Sequence, residues 1–373
     1  MTSRERFLET LLFGKPDRIP FVPGWPREST LKRWRAEGLP ESADWLRYLC
    51  DQIGIEPPND GGPGVQIRHT MIPEFEEKVI EEKEDSIIVQ DWKGNICEIS
   101  NQFDFTYLRS ARDFCTRKWI KCPVESWDDW ELMKTRYDPE DPSRVPADLP
   151  ELGKQLAERD HVVGVHVHGP FWQLREWMGF EGLCAAFLDD ADLVRDMIGF
   201  WTDYISVLLS KVTAHVRLDY FYISEDMAYK QHAMISPEMT RSFLGPCYSA
   251  WRETVDANDC PLYMVDSDGY VGELIPVWIE SGINVTDPME VAAGNDMGEF
   301  RKSFGRTIAF RGGVDKRAIA KGGEVMSREL ARLEPVVRDG GYIPGCDHGV
   351  PSDVGWSQMI EYADGLARIT GWK

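Results

Sequence analysis

VVGVHV, at residues 162–167, is the first of six short apolar runs that decide the fold of this chain. The other five follow in order: DYFYIS (219–224), LYMVDS (262–267), INVTDP (283–288), IAFRGG (308–313) and YIPGCD (342–347). Each run is apolar on both faces, as the strands of a parallel sheet are when helices cover it. Longer helical stretches separate the runs, so the chain beyond about residue 161 predicts repeated β-α units.

Two more β-α units are expected nearer the N-terminus. A short strand is predicted at residues 18–22, and another unit is expected before residue 100. Eight such units indicate an α/β fold of the (β/α)8 TIM barrel type. A doubly wound sheet is the structural alternative, but no GxGxxG follows a first strand to support it.

An N-terminal extension and an insertion accompany the predicted barrel. A helix is expected from the first residues to Gly14, ahead of the first strand. Residues 57–64 (PPNDGGPG) can hold neither helix nor strand, and residues 87–100 (IIVQDWKGNICEIS) predict a β-hairpin. We therefore expect residues 57–126 to form an insertion or lid within one domain of residues 1–373.

Composition excludes several classes of partner. The 373 residues are 42% hydrophobic and carry a formal net charge of −21, which disfavours binding to nucleic acid or to an anionic membrane. No apolar run approaches the roughly 20 residues that a membrane helix needs, and Glu9 would interrupt a signal-peptide core. The eight cysteines form no CxxC pair, which favours reduced thiols. The sequence thus predicts a soluble cytoplasmic protein.

Polar side chains collect directly after the apolar runs. In a parallel barrel the loops after the strands form the active site, because the carboxyl ends of all strands meet at one mouth. The candidates, in chain order, are His168, Glu225, Asp226, Tyr229, Asp266, Asp268, Cys346 and His348. We expect these side chains to converge.

Several of these residues also have a purely structural interpretation. Acids after a strand often only cap the next helix, and this alternative stays open for Asp226 and Asp268. His166 is interpreted as a hydrogen-bonded core residue, whereas His168 stays open between core and ligand. Cys346 could simply pack under the last strand.

A metal site is one way to combine these side chains. Asp266 and Asp268 could meet Cys346 and His348 across the mouth, and together they offer the donor atoms that a divalent metal requires. The alternative is that the two aspartates hydrogen-bond backbone amides and His348 without any metal.

Aromatic residues are abundant, with 14 Trp, 12 Tyr and 16 Phe. Any single aromatic is more often part of a core, but several lie in or near the predicted mouth loops. Together they would suit a planar or macrocyclic apolar ligand. They are Trp25, Phe171, Trp172, Trp177 and Tyr229.

The loops also carry a resemblance that spans nearly the whole chain. The motifs are RERFLETLLFGKPDRIP (4–20), HGPFWQLREWMGFEG (168–182), EDMAYKQHAMISPEMTRSFLGP (225–246), DSDG (266–269), GINVTDPMEVAAGNDMGEFRKSFGRTIAFRGGVDK (282–316) and GGYIPGCDHGVPSDV (340–354). In this combination the chain resembles the uroporphyrinogen decarboxylase superfamily, and within it the cobalamin-dependent methyltransferase-like branch. The resemblance implies a (β/α)8 barrel with its site at the carboxyl-end mouth.

The chain departs from the decarboxylases of that superfamily. Their arginine-rich loop is replaced by PGWPREST (23–30) with only Arg27, and no matching aspartate is evident in CDQIGIEPP (50–58). Glu176 or Trp177 falls where the family tyrosine is expected. His348 alone matches the family's C-terminal histidine.

The resemblance to the methyltransferase branch implies a zinc site, which this chain changes. The branch holds zinc with an H-x-C pair and a further cysteine. Here Asp266-Ser267-Asp268 takes the place of the pair, while Cys346 fits the further cysteine. A harder Asp, Cys and His site for zinc remains open.

The leading hypothesis is a demethylase component that moves a methyl group from a small methoxylated or methylated donor to a corrinoid protein. His348 would act as general acid or electrophile, Asp226 and Glu225 would orient groups, and Asp266, Asp268 and Cys346 would be metal ligands. The substrate wall would consist of Tyr229, His168, Trp25, Arg27, Phe171 and Trp172. The expected partners are the methyl donor, the corrinoid protein and a second copy of the chain in a homodimer.

Two alternatives come from other classes. One is a lyase or decarboxylase acting on a smaller acid, in which His348 would donate the proton. The other is a non-catalytic protein that binds a tetrapyrrole.

Overall fold

The computed structural model describes residues 1–59, 61–110, 113 and 115–373. Its N-terminal part contains helices α1 (Ser3–Leu11), α2 (Glu28–Ala36) and α3 (Trp45–Ile53). Thr2 caps α1, because its hydroxyl accepts a hydrogen bond from the Glu5 N–H while the Glu5 carboxylate accepts one from the Thr2 N–H. The helix predicted at the N-terminus is thereby confirmed.

An antiparallel sheet follows, with the strand order β1 (Lys78–Glu82), β2 (Ser86–Gln90), β3 (Ile96–Ser100) and β4 (Arg117–Lys121). The short helix α4 (Phe105–Arg109) connects β3 and β4. The predicted hairpin is formed by β2 and β3, and the Asp91 carboxylate holds its turn by accepting from the N–H groups of Lys93 and Asn95. Of the predicted insertion 57–126, residues 60, 111, 112 and 114 lie outside the described residues.

The second sheet consists of six parallel strands, which follow helices α5 (Trp127–Lys134) and α6 (Leu149–Leu156). Neighbours in this sheet are also neighbours along the chain. All six apolar runs are confirmed as strands. They are β5 (Gly164–His168), β6 (Tyr220–Ser224), β7 (Leu262–Asp266), β8 (Val285–Asp287), β9 (Ala309–Val314) and β10 (Tyr342–Cys346).

Helices connect these strands and cover the outer face of the sheet. Phe221, Ile223 and Val265 on that face are fully buried in the main hydrophobic core. The helices are α7 (Pro170–Met178), α8 (Phe180–Asp189), α9 (Ala191–Thr213), α10 (Pro237–Met239) continued by a π-helical turn (Thr240–Leu244), α11 (Gly245–Asp256), α12 (Ile275–Glu280), a 3-10 turn (Val291–Ala293), α13 (Met297–Phe304), α14 (Lys316–Lys321), α15 (Gly323–Asp339) and α16 (Trp356–Ile369).

The expected eight-stranded barrel needs a correction. No closed barrel forms among the described residues, and the six-stranded sheet has β5 and β10 at its edges. The strand predicted at residues 18–22 is absent, because Pro20 and Pro23 have no N–H to donate to a ladder. The segment still lies against β10, where a Cβ added to Gly345 would come within 2.4 Å of the Val22 carbonyl oxygen. The unit expected before residue 100 is the antiparallel sheet instead.

Helix α1 covers the inner face of the parallel sheet at the amino ends of the strands. Leu11 packs there with Met264, Val285 and Ile343 in a separate hydrophobic cluster. The Thr10 carbonyl also accepts a hydrogen bond from the N–H of Gly341, just before β10. The amino ends are therefore filled, and the carboxyl ends are left for a site.

Two findings concern the helices and the cysteines. None of the described helices combines the length and the apolar character that crossing a membrane requires. The eight cysteines carry free thiols, as the spacing predicts.

Candidate functional site

A cavity of about 570 Å³ opens at the carboxyl ends of the parallel strands. Side chains from the strands and the loops after them meet residues of the segment 22–27 in its wall. The polar lining consists of Arg27, His166, Asp226, Asp266, Asp268, Asp287, Arg311 and His348, and the aromatic lining consists of Trp25, Trp172, Tyr220 and Tyr222. The predicted candidates that line it are thus Trp25, Arg27, Trp172, Asp226, Asp266, Asp268, Cys346 and His348.

His348 is held on both sides of its ring. Its Nε2 lies 3.0 Å from the Asp268 carboxylate. Its Nδ1 accepts a hydrogen bond of 2.7 Å from the Gly349 N–H and lies 3.1 Å from the Arg27 guanidinium. Since two donors point at Nδ1, the ring proton is on Nε2 and is donated to Asp268.

Asp226 lies in the loop after β6, where Arg175 of α7 holds it in place. One guanidinium nitrogen lies 3.0 Å from its carboxylate, and another lies 2.8 Å from its carbonyl oxygen. The backbone φ of Asp226 is 41°, in the left-handed region that non-glycine residues rarely adopt. Burial raises the pKa of this carboxyl, and Arg175 opposes the rise.

Glu225 lies behind the cavity wall and is fully buried. Its carboxyl group accepts hydrogen bonds from the Tyr248 hydroxyl and, at 3.0 Å, from the Trp172 N–H. Burial raises its pKa to about 7. A Cβ on Gly169 would collide with this carboxyl, so glycine there makes room for it. Glu225 thereby ties the start of α7, and with it Trp172, to β6.

A second group of polar side chains lies deeper, on the inner faces of β5 to β9. Ser224 Oγ lies 2.8 Å from His166 Nε2 and 3.1 Å from the Asp266 carboxylate. Burial and the nearby carboxylates of Asp287 and Asp268 raise the pKa of Asp266 well above its usual range, because the charged form is desolvated and repelled.

Asp287 forms an ion pair in addition to a hydrogen bond. Its carboxylate accepts a hydrogen bond of 2.8 Å from the Tyr222 hydroxyl and forms an ion pair of 3.0 Å with Arg311. Burial nevertheless raises its pKa, while Arg311 and Tyr222 oppose the rise.

Four predicted candidates have surroundings other than the cavity. His168 Nδ1 lies 3.1 Å from the Gln173 side-chain oxygen, its ring contacts that of His69, and burial lowers its pKa to about 4. Phe171 is fully buried in the core, as is Trp177. Tyr229 is half exposed and packs against Phe180 in a shallow groove.

Cys346 belongs to the cavity wall through its position at the end of β10, but its side chain is in the main core. By the period of two it shares the outward face of Tyr342, whereas Ile343 faces inward. Burial raises the pKa of its thiol to about 12.

The positions of the predicted ligands determine whether they could bind a metal ion together. Among the described residues, no three His, Cys, Asp or Glu side chains are grouped so that they could hold an ion. Asp268 and His348 are engaged with each other, and Cys346 faces away from Asp266. The donor set of the sequence prediction therefore does not fit a zinc site.

A buried charge clamp lies beside His168 and fastens the antiparallel sheet to α7. We use the name clamp for Asp91, Lys93, Arg117 and Glu176. Lys93 donates to one Glu176 oxygen, Arg117 lies 3.1 Å from the other, and Arg117 lies 3.8 Å from Asp91. Lys93, on the hairpin turn, and Arg117, on β4, thereby hold the predicted insertion against the parallel sheet's helices.

Sequence reasoning interpreted His166 as a core residue. It did not single out Tyr220, Tyr222, Asp287 and Arg311 in the cavity wall, or Ser224 beside His166. Signals for three of them were present. His166 faces inward by the period of two, Asp287 ends its run as Asp266 does, and Arg311 is a charge inside an apolar strand. Nothing in the pattern of residues points to Ser224 or Tyr222.

Comparison with known proteins bears on the fold. No family model and no curated protein matches the chain. A methyltransferase from Methanosarcina mazei is similar in structure, with 13% identity and a TM-score of 0.56, over 100% of this chain and 98% of that one. A B12-independent methionine synthase from Shewanella is similar with 11% identity and a TM-score of 0.39, over 60% of this chain and 66% of that one. The likeness to the first supports a TIM-barrel-like fold.

Proposed function

We propose that this chain is a methyltransferase component that moves a methyl group from a small methoxylated or methylated donor to a corrinoid protein. The observation that carries the proposal is the cavity of about 570 Å³, which combines aromatic walls with hydrogen-bonded acids and histidines at the carboxyl ends of the strands. The fold that the chain shares with a methyltransferase supports it coarsely.

The cavity suits a small donor. Its volume lies in the range of about 300 to 1,000 Å³ that small-molecule sites occupy. Trp172 and Tyr222 offer flat apolar faces to the body of the donor, while Asp226 and Asp268 offer acceptors. The methyl carbon would face the mouth, where Trp25 is 51% exposed and available for contact with a partner.

The corrinoid carried by the partner would supply, when reduced, the nucleophile for the methyl carbon. This chain must hold the donor and satisfy the charge that develops on the leaving atom. Arg27, His348 and Asp268 form one continuous hydrogen-bonded row along the cavity wall, and we assign that row to holding the donor. The general-acid role of His348 stays a prediction. Its ring proton is donated to Asp268, so that hydrogen bond would have to break before the proton could reach a donor molecule.

The lyase or decarboxylase alternative has one observation in its favour. Arg27 and Arg311 both line the cavity and could bind a carboxylate. The carboxylates of Asp226, Asp268 and Asp287 line the same cavity and would repel that group, so methyl transfer is the better-supported function.

A direct assay tests the proposal. Methoxylated aromatics, methylamines and betaines are screened with cob(I)alamin, and the cobalt absorption bands report methyl transfer. We expect methylcobalamin with at least one donor, and a rate that falls in Trp172→Ala but not in Leu188→Ala, whose side chain is 78% exposed on α8. Release of carbon dioxide from a small acid would establish the lyase instead. Tetrapyrrole binding without turnover of any donor would contradict both enzymes.

A further inference from the structure

Two histidines line the cavity, and their rings are held differently. His348 has a partner at each nitrogen: Asp268 at Nε2, and both Gly349 and Arg27 at Nδ1. His166 has a hydrogen bond at one nitrogen, Nε2, to Ser224. Within the described part of the chain, its Nδ1 has no hydrogen-bond partner, and the side chain is exposed to the cavity.

His166 is also connected to an acid behind it. Ser224 lies between His166 Nε2, at 2.8 Å, and Asp266 Oδ2, at 3.1 Å. Ser224 Oγ donates to the Asp266 carboxylate when that group is ionised, and His166 Nε2 then donates to Ser224 Oγ. When Asp266 carries a proton the row runs the other way, from Asp266 to Ser224 and from Ser224 to His166 Nε2, so these three side chains form a continuous path for a proton. The Tyr222 ring contacts the His166 ring edge-on, with 4.7 Å between centroids, and fixes its orientation.

We infer that His166 donates the proton to the leaving oxygen of a methyl ether donor, and that Asp266 replenishes His166 through Ser224. The inference rests on the proposed function. It narrows the donor to the class whose leaving group must take up a proton, since a tertiary amine departing from a quaternary ammonium needs none.

The step balances as follows. The bond between methyl carbon and oxygen breaks, its electron pair stays on oxygen, and the methyl group is taken up by the reduced corrinoid of the partner. His166 Nδ1–H passes its proton to that oxygen, Ser224 passes its hydroxyl proton to His166 Nε2, and the Asp266 carboxyl passes its proton to Ser224 Oγ. The products are an alcohol, an ionised Asp266 and a His166 ring protonated at Nε2. A solvent proton taken up at Nδ1, which faces the cavity, sends the Nε2 proton back to Ser224 and the Ser224 proton back to Asp266, which restores the starting state.

The charges around the cavity make such a donor necessary. With Asp266 protonated, the carboxylates of Asp226, Asp268 and Asp287 and two arginines line it, so an alkoxide leaving group would form among an excess of negative charge. A proton delivered during bond breaking avoids that anion.

The protonation of Asp266 fits this role. Its pKa is raised by burial and by the carboxylates of Asp287, Asp268 and Asp226, which face it from β8 and from the loops after β7 and β6. Asp266 therefore keeps its proton under conditions in which an ordinary aspartate has lost it.

The histidine beside it stays neutral. Burial lowers the pKa of His166, and His168 and His69 are the titratable groups on its other side. A neutral ring can carry the proton on Nδ1 and accept at Nε2.

The first experiment needs no corrinoid. The protein contains seven histidines, and ¹⁵N-histidine spectra can be assigned with His166→Gln and His348→Gln. We expect His166 to be the Nδ1–H tautomer, with an Nε2 resonance that moves in Ser224→Ala. His348 should be the Nε2–H tautomer and serves as the internal contrast. A His166 ring that carries its proton on Nε2 would overturn the relay.

The second experiment measures methyl transfer to cob(I)alamin from two donors. With a methyl ether, we expect His166→Gln, Asp266→Asn and Ser224→Ala each to lower the rate by about 10²-fold, and Ser224→Thr to restore it by keeping the hydroxyl. With a nitro-substituted aryl methyl ether, whose phenolate leaves without taking up a proton, the same variants should match the wild type.

The outcomes separate the two proposals. Equal losses with both donors, or no loss with the ether, would overturn the relay while leaving methyl transfer intact. Absence of transfer from every donor would overturn the proposed function, and the histidine tautomers would still decide whether the proton path exists.

Discussion

The cavity aspartates and the clamp are two buried groups of charges that behave in opposite ways. In the clamp, Glu176 is 2% exposed, and burial alone would raise its pKa, but Lys93 and Arg117 outweigh burial and hold the pKa well below its usual range. In the cavity, Asp266 is partly buried, and its pKa is raised first by burial and then by the nearby carboxylates of Asp287 and Asp268. Burial raises the pKa of both carboxyl groups, and the charged partners decide whether that rise is reversed, as at Glu176, or reinforced, as at Asp266.

The two groups of charges therefore suit different roles, the clamp a structural one and the cavity aspartates a chemical one. The clamp matches two acids with two bases, and such a group holds elements together without exchanging protons near neutral pH. The cavity holds more acids than bases, so a proton is retained on a carboxyl and is available for transfer. Four predictions test this contrast, in order of decreasing effect.

The largest effect is expected in the clamp. Glu176→Ala leaves Lys93 and Arg117 buried without their shared carboxylate, and we expect the free energy of unfolding to fall by about 3–5 kcal/mol. Urea denaturation measures the change. The double variant Lys93→Met with Glu176→Leu is the matched control and should recover part of the loss, because it removes the uncompensated charge of Lys93. A loss below about 1 kcal/mol in Glu176→Ala would show that the clamp does not hold the insertion.

Glu225 should give the next largest effect, and it depends on pH. Its folded-state pKa is raised to about 7 from an ordinary 4.5, so its contribution to stability is present below the ordinary value and is lost as the pH rises through about 7. At 1.36 kcal/mol per pKa unit the loss is about 3 kcal/mol. Unfolding free energies at about pH 5 and about pH 9 measure it. Glu225→Gln should lack this pH dependence, and a variant as pH-dependent as the wild type would contradict the assignment.

A smaller effect of the same sign is expected at Asp266, which still borders the cavity. Its pKa is raised, so the wild type loses stability as the pH rises above the ordinary aspartate range and through the raised value. Asp266→Asn removes that loss, and its stability relative to the wild type should increase with pH. A relative stability that decreases with pH would mean that Asp266 is ionised and paired in the folded state.

The smallest effect on stability is expected for an exposed ion pair, which provides the reference value for the other predictions. Glu334 and Arg338 form an exposed pair one helical turn apart on α15. Glu334→Gln should change the free energy of unfolding by less than about 0.5 kcal/mol, because water screens such pairs. A change as large as that of Glu176→Ala would remove the distinction between buried and exposed pairs on which the comparison rests.

The sequence predicts the six parallel strands because each is an apolar run bounded by turn residues, and a run of that kind is typical of a sheet covered on both faces. It also predicts the hairpin around Lys93. The seventh strand fails at Pro20 and Pro23, where the polarity pattern favours a strand but the backbone lacks the donors for one. The alternation of apolar and polar residues indicates which side chains are buried. It does not indicate whether the backbone can form hydrogen bonds with a neighbouring strand.

The site is less predictable, because a side chain's role depends on partners that are distant in sequence. Asp268 and His348 are 80 residues apart, and their contact follows from the rule that strand ends converge. The proton path through His166 needs Ser224, a common residue that gives no signal in a sequence. Cys346 fits a ligand position in the resemblance, yet the alternation of β10 turns its side chain into the core.

Helix α1 limits access to the cavity to one end of the parallel sheet. It fills the amino ends of the strands, so the cavity exchanges its contents through the mouth beside Trp25. A partner protein that docks on this mouth would block it. The donor would then have to bind first, and the demethylated product could leave only after the partner. Such an enzyme follows a compulsory order of binding, and excess partner protein would inhibit it by trapping product or excluding donor.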